Sequence, residues 1–279
     1  NLGAVHKISA QGGTSTKLTQ KKGIFRNPAF SPSSQHIVFH KESGNMDQGI
    51  SFGKNAGIYT INSDGGNLKR LTKEGEYPQF SKEGNRVFYQ TGGTYFGNLI
   101  KSLKSVNLNG EEERTHIKSK YANRLVPSPD NKWIAFSELF KVYVAPMPAP
   151  GQAIGLSADT KAFPVAQVAR DAGINLHWSA NSDKISWTLG NEYFTSPLTE
   201  RFLFLEGSVD SIPPLDTVGT KITITQKFDQ PKGITALTGG KIITMKGRQI
   251  IDNGVVVVEG NKILAVGAAD EVAIPREAQ

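Results

Sequence analysis

The chain has 279 residues, 38% of them hydrophobic and 20% charged, with 32 Lys and Arg against 25 Asp and Glu. That composition excludes wholesale disorder, and apolar runs such as 255–258 fall far short of the ~20 residues a membrane helix needs. With no cysteine, disulfides, thiolate metal sites and cysteine nucleophiles are excluded.

The chain opens Asn-Leu-Gly-Ala-Val-His-Lys, without an initiator Met or a basic-then-apolar leader. It reads as the middle of a longer polypeptide, with sequence expected upstream. Residues 228–279 carry six basic and six acidic side chains, so the whole excess of +7 lies before them. Two regions of different charge balance predict two units. The basic clusters Lys17, Lys21, Lys22, Arg26 and Lys118, Lys120, Arg124 are read as solvated surface, because a mild bias without a recognition module does not track phosphates. No nucleic-acid partner is expected.

A short pattern recurs along the first three quarters. An apolar residue and a serine are followed by turn formers and then an apolar strand: Phe30-Ser31-Pro32-Ser33-Ser34 into Ile37-Val38-Phe39, and Phe80-Ser81-Lys82-Glu83-Gly84 into Val87-Phe88-Tyr89. Ser128-Pro129-Asp130-Asn131-Lys132 leads into Trp133-Ile134-Ala135-Phe136, and Trp178-Ser179-Ala180-Asn181-Ser182 into Ile185-Ser186-Trp187. Serines 31, 81, 128 and 179 lie 50, 47 and 51 residues apart. Each copy predicts a tight hairpin: proline suits the early turn position, and Asp, Asn or Gly suits a later one where φ turns positive. The motif residues are scaffold, not site.

A second element lies between these hairpins. Ile58 to Asn62 precedes Ser63-Asp64-Gly65-Gly66 and then Leu68 to Thr72; Val5 to Ser9, Gln11-Gly12-Gly13 and Leu18-Thr19 form a related copy. Degenerate versions run over 105–110 and 141–144. Each period therefore holds about four strands, and four antiparallel strands per roughly 40–50 residues is the arithmetic of a β-propeller blade. The expected fold is all-β, about four and a half blades, with a short helix considered only over 160–171. An open arc exposes strand edges, which again predicts an upstream portion that is missing or belongs to a separate chain; a closed four-bladed ring is the less favoured alternative.

Residues 57–72 and 127–136, with Phe-Ser-Pro, Ile-Tyr, Asp-Gly-Gly and Lys-Arg-Leu-Thr elements, resemble the propeller repeats of the TolB and tricorn-protease type. The resemblance covers roughly residues 1–227; the copy at Trp178 departs most, with Ala-Asn-Ser-Asp after its serine. It implies a fold and leaves function open, since such repeats occur in binding proteins, peptidases and fused enzymes.

From Thr220 the pattern changes. Lys221–Thr225 alternates as a last propeller strand, and 229–233 is a turn and boundary. Gly239-Gly240-Lys241-Ile242-Ile243-Thr244-Met245, an Asp252-Asn253-Gly254 turn, the strand Val255–Glu259, a Gly260-Asn261 hairpin loop with positive φ at its centre and Lys262–Gly267 follow. The run 239–267 resembles the N-terminal strands of the metal-dependent amidohydrolase superfamily. The resemblance implies residues 1–227 as propeller, 228–235 as linker and 236–279 as the start of a composite β-sandwich. Its catalytic barrel, carrying a His-x-His pair and a zinc-type divalent metal, would lie outside this chain. Two or three strands alone are marginal in water, so the tail is expected to dock on the remainder of the polypeptide or on a second chain, or to be poorly ordered.

No catalytic, cofactor or metal residue is assigned. Of the five histidines, 6, 36, 40, 116 and 177, none forms His-x-His. His36 and His40 sit on one face of a strand and are weighed as a metal pair against a solvated or hydrogen-bonded pair, the latter favoured. Glu111-Glu112-Glu113 reads as a solvated turn, and Trp133, Trp178 and Trp187 as core. The expected function is the non-catalytic portion of a larger amidohydrolase acting on C–N bonds. A propeller that binds a protein or peptide on its face is the alternative, and a propeller gating a peptidase ranks third. The resemblance implies a periplasmic or secreted location.

Overall fold

The structure, a computed structural model, describes residues 3–21, 23–42, 54–92, 99–149, 151–228 and 232–279. Lys22 and most of the boundary turn at 229–233 lie outside the described residues. The chain divides into two units, 1–222 and 223–279.

The first unit begins with a two-stranded hairpin, β1 (His6–Lys7) and β2 (Thr16–Lys17). A four-stranded sheet follows, β3 (Phe25–Phe30), β4 (His36–Lys41), β5 (Gly57–Asn62) and β6 (Lys69–Arg70), neighbouring in chain order. The second sheet repeats that order with β7 (Glu76–Phe80), β8 (Arg86–Thr91), β9 (Lys101–Asn107) and β10 (Arg114–Ser119). The third starts with β11 (Ala122–Pro127), β12 (Trp133–Glu138) and β13 (Lys141–Pro146). The chain then crosses back as β14 (Ile154–Gly155), parallel to β10, and returns as β15 (Ala166–Gln167), antiparallel to β13. The fourth sheet holds β16 (Ile174–Trp178), β17 (Lys184–Leu189), β18 (Glu192–Pro197) and β19 (Thr220–Lys221).

The short helix considered over 160–171 is absent. That stretch straps the second sheet to the third, buries Leu156 with Phe163 and Val165 packed nearby, and closes the third sheet as β15. Pro164 removes a helical donor, and the open edge of β13 supplies the ladder instead. The helical residues described are a single 3-10 turn, Leu198–Glu200.

The second strands of the first three sheets explain the packing. Successive side chains point to opposite faces, and both faces of these strands are covered. On β4, Ile37 and Phe39 pack toward the hairpin and Val38 toward the second sheet. On β8, Val87 and Tyr89 face the first sheet while Phe88 faces the third. On β12, Ile134 and Phe136 face the second sheet, and Trp133 and Ala135 the fourth. Four clusters thus join the hairpin and the four sheets in chain order. Burial on both faces is why these strands read as unbroken apolar runs.

The repeated serine has a structural cause. Each backbone N–H bonds the carbonyl five residues on: Ser31 to His36 at 2.8 Å, Ser81 to Arg86 at 2.9 Å, Ser128 to Trp133 at 2.9 Å and Ser179 to Lys184 at 3.0 Å. Each Oγ accepts the returning N–H of that same partner, at 3.1, 3.2, 2.9 and 3.2 Å. The residue three after each serine takes a left-handed φ: Ser34 at 59°, Gly84 at 72°, Asn131 at 60° and Ser182 at 63°. The positive φ expected late in the turn is present in all four.

The second unit is a three-stranded meander of β20 (Ile234–Ile243), β21 (Ile250–Glu259) and β22 (Lys262–Ala268). Two local expectations are corrected. Asp252-Asn253-Gly254 does not turn; it lies inside β21, where Asn253 at φ 49° and the Gly239-Gly240 pair form a bulge. The reversal falls at 244–249, with Met245 and Gly247 both at φ 60°. The Gly260-Asn261 loop has positive φ only at Gly260, 54°, the pattern of a II′ turn. Residues 268–279 fold back on the sheet: Ala236 N–H bonds Gln279 C=O at 2.9 Å, and Val255 and Val257 are buried.

Candidate functional site

Each sheet's first strand carries a bulge shortly before its repeat serine, at matching positions in the first, second and fourth sheets and slightly earlier in the third. Register shifts lie between Arg26 and Ala29, Glu76 and Gln79, Ala122 and Arg124, and Ile174 and His177. Four residues before the repeat serine, Asn27, Tyr77 and Asn175 take left-handed φ of 51°, 52° and 56°. Asparagine tolerates that region; tyrosine there is a strained choice, of the kind that clusters at binding sites. Bulges re-aim the side chains that follow them. Here the first strands of all four sheets border one cleft of about 830 Å³.

The cleft walls correspond repeat by repeat. The first sheet contributes 27–30 and Pro32, the second 77–82, the third Arg124, Val126, Pro127, Pro129 and Asp130, and the fourth 176–178 and 180–182. Contacts one repeat apart tie the walls together. Gln79 Nε2 donates to Pro127 C=O at 2.9 Å, and Trp178 Nε1 to Val126 C=O at 2.9 Å. Lys82 N–H donates to Asn131 Oδ1 at 2.8 Å, and Asp130 N–H to Ser182 Oγ at 3.0 Å. A concave, largely apolar surface with a few fixed polar groups is the general form of a ligand site.

Arg124 is the distinctive charge in this surface. Its guanidinium carbon stands 3.5 Å from the centroid of the Tyr77 ring. Burial pushes its pKa down to about 10, with Tyr77 and Glu76 acting in the opposite direction. It therefore remains a cation at neutral pH. Behind Tyr77, ring centroids 6.5 Å apart, His40 is buried and its Nδ1 has no hydrogen-bond partner among the described residues. Burial is the main cause holding the His40 pKa below its ordinary value, so the imidazole is neutral.

The repeat-turn residues, read above as scaffold and not site, are corrected: they hold the hairpins and also line the cleft, at Phe30, Pro32, 80–82, Pro129, Asp130 and 180–182, while the other residues singled out from sequence fall elsewhere or take other roles. Arg124, grouped above with Lys118 and Lys120 as solvated surface, is corrected: the bulge on β11 turns it into the cleft while Lys118 stays exposed. Its repeat position was the available signal, since the other three repeats carry Asn27, Tyr77 and Asn175 there. His36 and His40 do share β4, but four residues of strand span roughly 13 Å, too far for one ion. Glu112 pairs with Arg86 at 3.2 Å and Arg114 at 3.7 Å, and Glu113 accepts from Tyr89 Oη at 2.6 Å and Lys104 Nζ at 2.9 Å. Trp133 and Trp187 are core, whereas Trp178 is a half-buried wall of the cleft. Among the described residues no three His, Asp or Glu side chains converge as metal ligands, and no helix is long and apolar enough to cross a membrane.

Comparison with known proteins places β-propellers beside this chain. TolB from Acinetobacter baumannii aligns at 17% identity and TM-score 0.49, over 69% of this chain and 45% of its own length. A putative TolB from Agrobacterium tumefaciens aligns at 15% identity and TM-score 0.47, over 95% and 74%. The β-propeller domain of the Trilobed protease from Pyrococcus furiosus aligns at 10% identity and TM-score 0.40, over 90% and 73%. The chain thus spans less than half the length of the Acinetobacter protein. No family model matches the chain, and no curated protein matches it.

Proposed function

We propose that residues 1–227 are a TolB-type propeller portion acting as a non-catalytic binding module, with a protein or peptide segment held in the cleft. The observation that carries this reading is the cleft itself: corresponding strands of four repeats border about 830 Å³, and side chains cross-tie neighbouring walls. A volume of that size accommodates a few side chains of a partner. Phage-displayed peptides selected on the whole chain test it. They should lose binding to Ala180→Trp, which places an indole against the cleft wall. Peptides that bind the plugged variant equally well would overturn the assignment.

A second element of the proposal concerns 236–279, joined through 228–235. One face of its sheet exposes Leu237, Ile263 and Val266 at 60%, 67% and 42%. An apolar sheet face of this kind is half of a sandwich, which favours the amidohydrolase-type start and a parent enzyme that cleaves C–N bonds with a zinc-type metal in its barrel. A periplasmic or secreted location belongs with the same proposal. The open reading frame beyond Gln279 decides it: a Pro-Gly-Leu-Ile-Asp-like run ending in His-x-His is expected, and its absence would remove the enzyme parent.

A further inference from the structure

The cleft leaves one strong donor unused. The other arginines drawn away from water are satisfied: Arg86 bonds Ser105 and Glu112, and Arg201 donates to Ser196 Oγ at 3.1 Å and Pro213 C=O at 2.7 Å. Among the described residues Arg124 makes no hydrogen bond or ion pair and rests on the Tyr77 ring. Glu76 attracts it without forming an ion pair. Its nitrogens are not among the fully buried unpartnered atoms, and Arg124 lines the cleft, so its donors stay open to a ligand held there. Stacking on tyrosine fixes the plane of its fork, and a planar fork matches a carboxylate through two parallel hydrogen bonds.

The surroundings define the class of partner. Lys82 adds a second cation at the rim, while the one lining carboxylate, Asp130, already accepts from Ser128 Oγ and from Lys132 N–H at 3.0 Å. Pro78, Phe80 and Pro127 supply apolar wall beside Arg124. No nest of backbone N–H groups of the kind that captures chain termini is seen beside Arg124 among the described residues; the donor left open is a side-chain fork, which suits an internal Glu or Asp.

We infer that the cleft binds an acidic peptide segment of a partner protein, a Glu or Asp side-chain carboxylate engaging Arg124 and the flanking residues packing on the apolar wall. This rests on the peptide-binding reading above. The test uses the full chain and fluorescein-labelled, C-terminally amidated hexapeptide pools with Glu or Gln fixed at the third position, read by fluorescence anisotropy. The Glu pool should bind at least about tenfold more tightly, the scale of a charge-assisted hydrogen bond. R124M should erase that preference. Equal binding of the two pools, or a preference that survives R124M, would overturn the inference. So would tight binding seen only with free-carboxylate versions of both pools, which would transfer the role to a chain terminus. Should R124M fail to fold by circular dichroism, R124K decides: it must weaken the Glu pool severalfold and leave the Gln pool unchanged. Binding without a Glu preference removes only this inference, whereas binding by no pool at all removes the peptide-binding reading as well.

Discussion

Ser128 and Ser179 hold equivalent places in their turns but differ in solvent access. Ser128 is fully buried and its Oγ both accepts from Trp133 N–H and donates to Asp130; Ser179 is only half-buried. Removing a buried acceptor leaves a stranded N–H, so Ser128→Ala should cost about 1–3 kcal/mol, read as a lower midpoint in thermal melts. Ser179→Ala should shift the midpoint much less. His116 gives a pH signature. Burial first, then Arg86 and Arg114, lower its pKa from 6.5 to about 4, and its Nε2 lies 2.8 Å from Ser105 Oγ. The unfolded chain therefore binds the proton more readily than the folded one. The stability from the neutral imidazole is present above pH 6.5 and declines as pH falls toward 4. Melts across that window should show a falling midpoint, and His116→Gln should flatten the part of the slope due to this group. The repeat serines were legible because a turn imposes its own spacing. Arg124 was legible only through its repeat position, equivalent to Asn27, Tyr77 and Asn175, because a bulge on β11 decides which way it points and its flanking residues do not announce that bulge.

Phe136 shows what an element contributes. It lies on β12, fully buried between the second and third sheets, and stacks on Tyr143 with centroids 5.3 Å apart. Phe136→Ala should cost about 3–5 kcal/mol, whereas Phe140→Ala, 72% exposed in the following turn, should leave urea unfolding nearly unchanged. A comparable loss at both positions would contradict the face-to-face packing. The period of two and the apolar runs made these strands legible. The short helix considered over 160–171 gives way to a strap and β15 because that segment's structure comes from pairing with β13 and crossing between sheets, a long-range cause. Asp252-Asn253-Gly254 carries turn chemistry, yet the pairing of β21 with β20 and β22 absorbs it as a bulge.

The division into 1–222 and 223–279 matters for the whole molecule. All four core clusters fall within the first unit. Truncation after Ile222 should therefore leave the main thermal transition within a few degrees of the full chain's, and a collapse of that transition would show that 223–279 supports the sheets. The internal repeat and the change of pattern near Thr220 made two regions legible. Convergence of the four first strands on one cleft was not, because it follows from how successive sheets pack rather than from any one motif. That cleft is the proposed ligand site. Hydrogen-exchange mass spectrometry of the full chain, with and without the saturating Glu-centred peptide pool, tests it most directly. Added protection is predicted in 27–32, 77–82, 124–130 and 176–182 together. Protection confined to 234–268, or none in those four segments under saturating peptide, would contradict it.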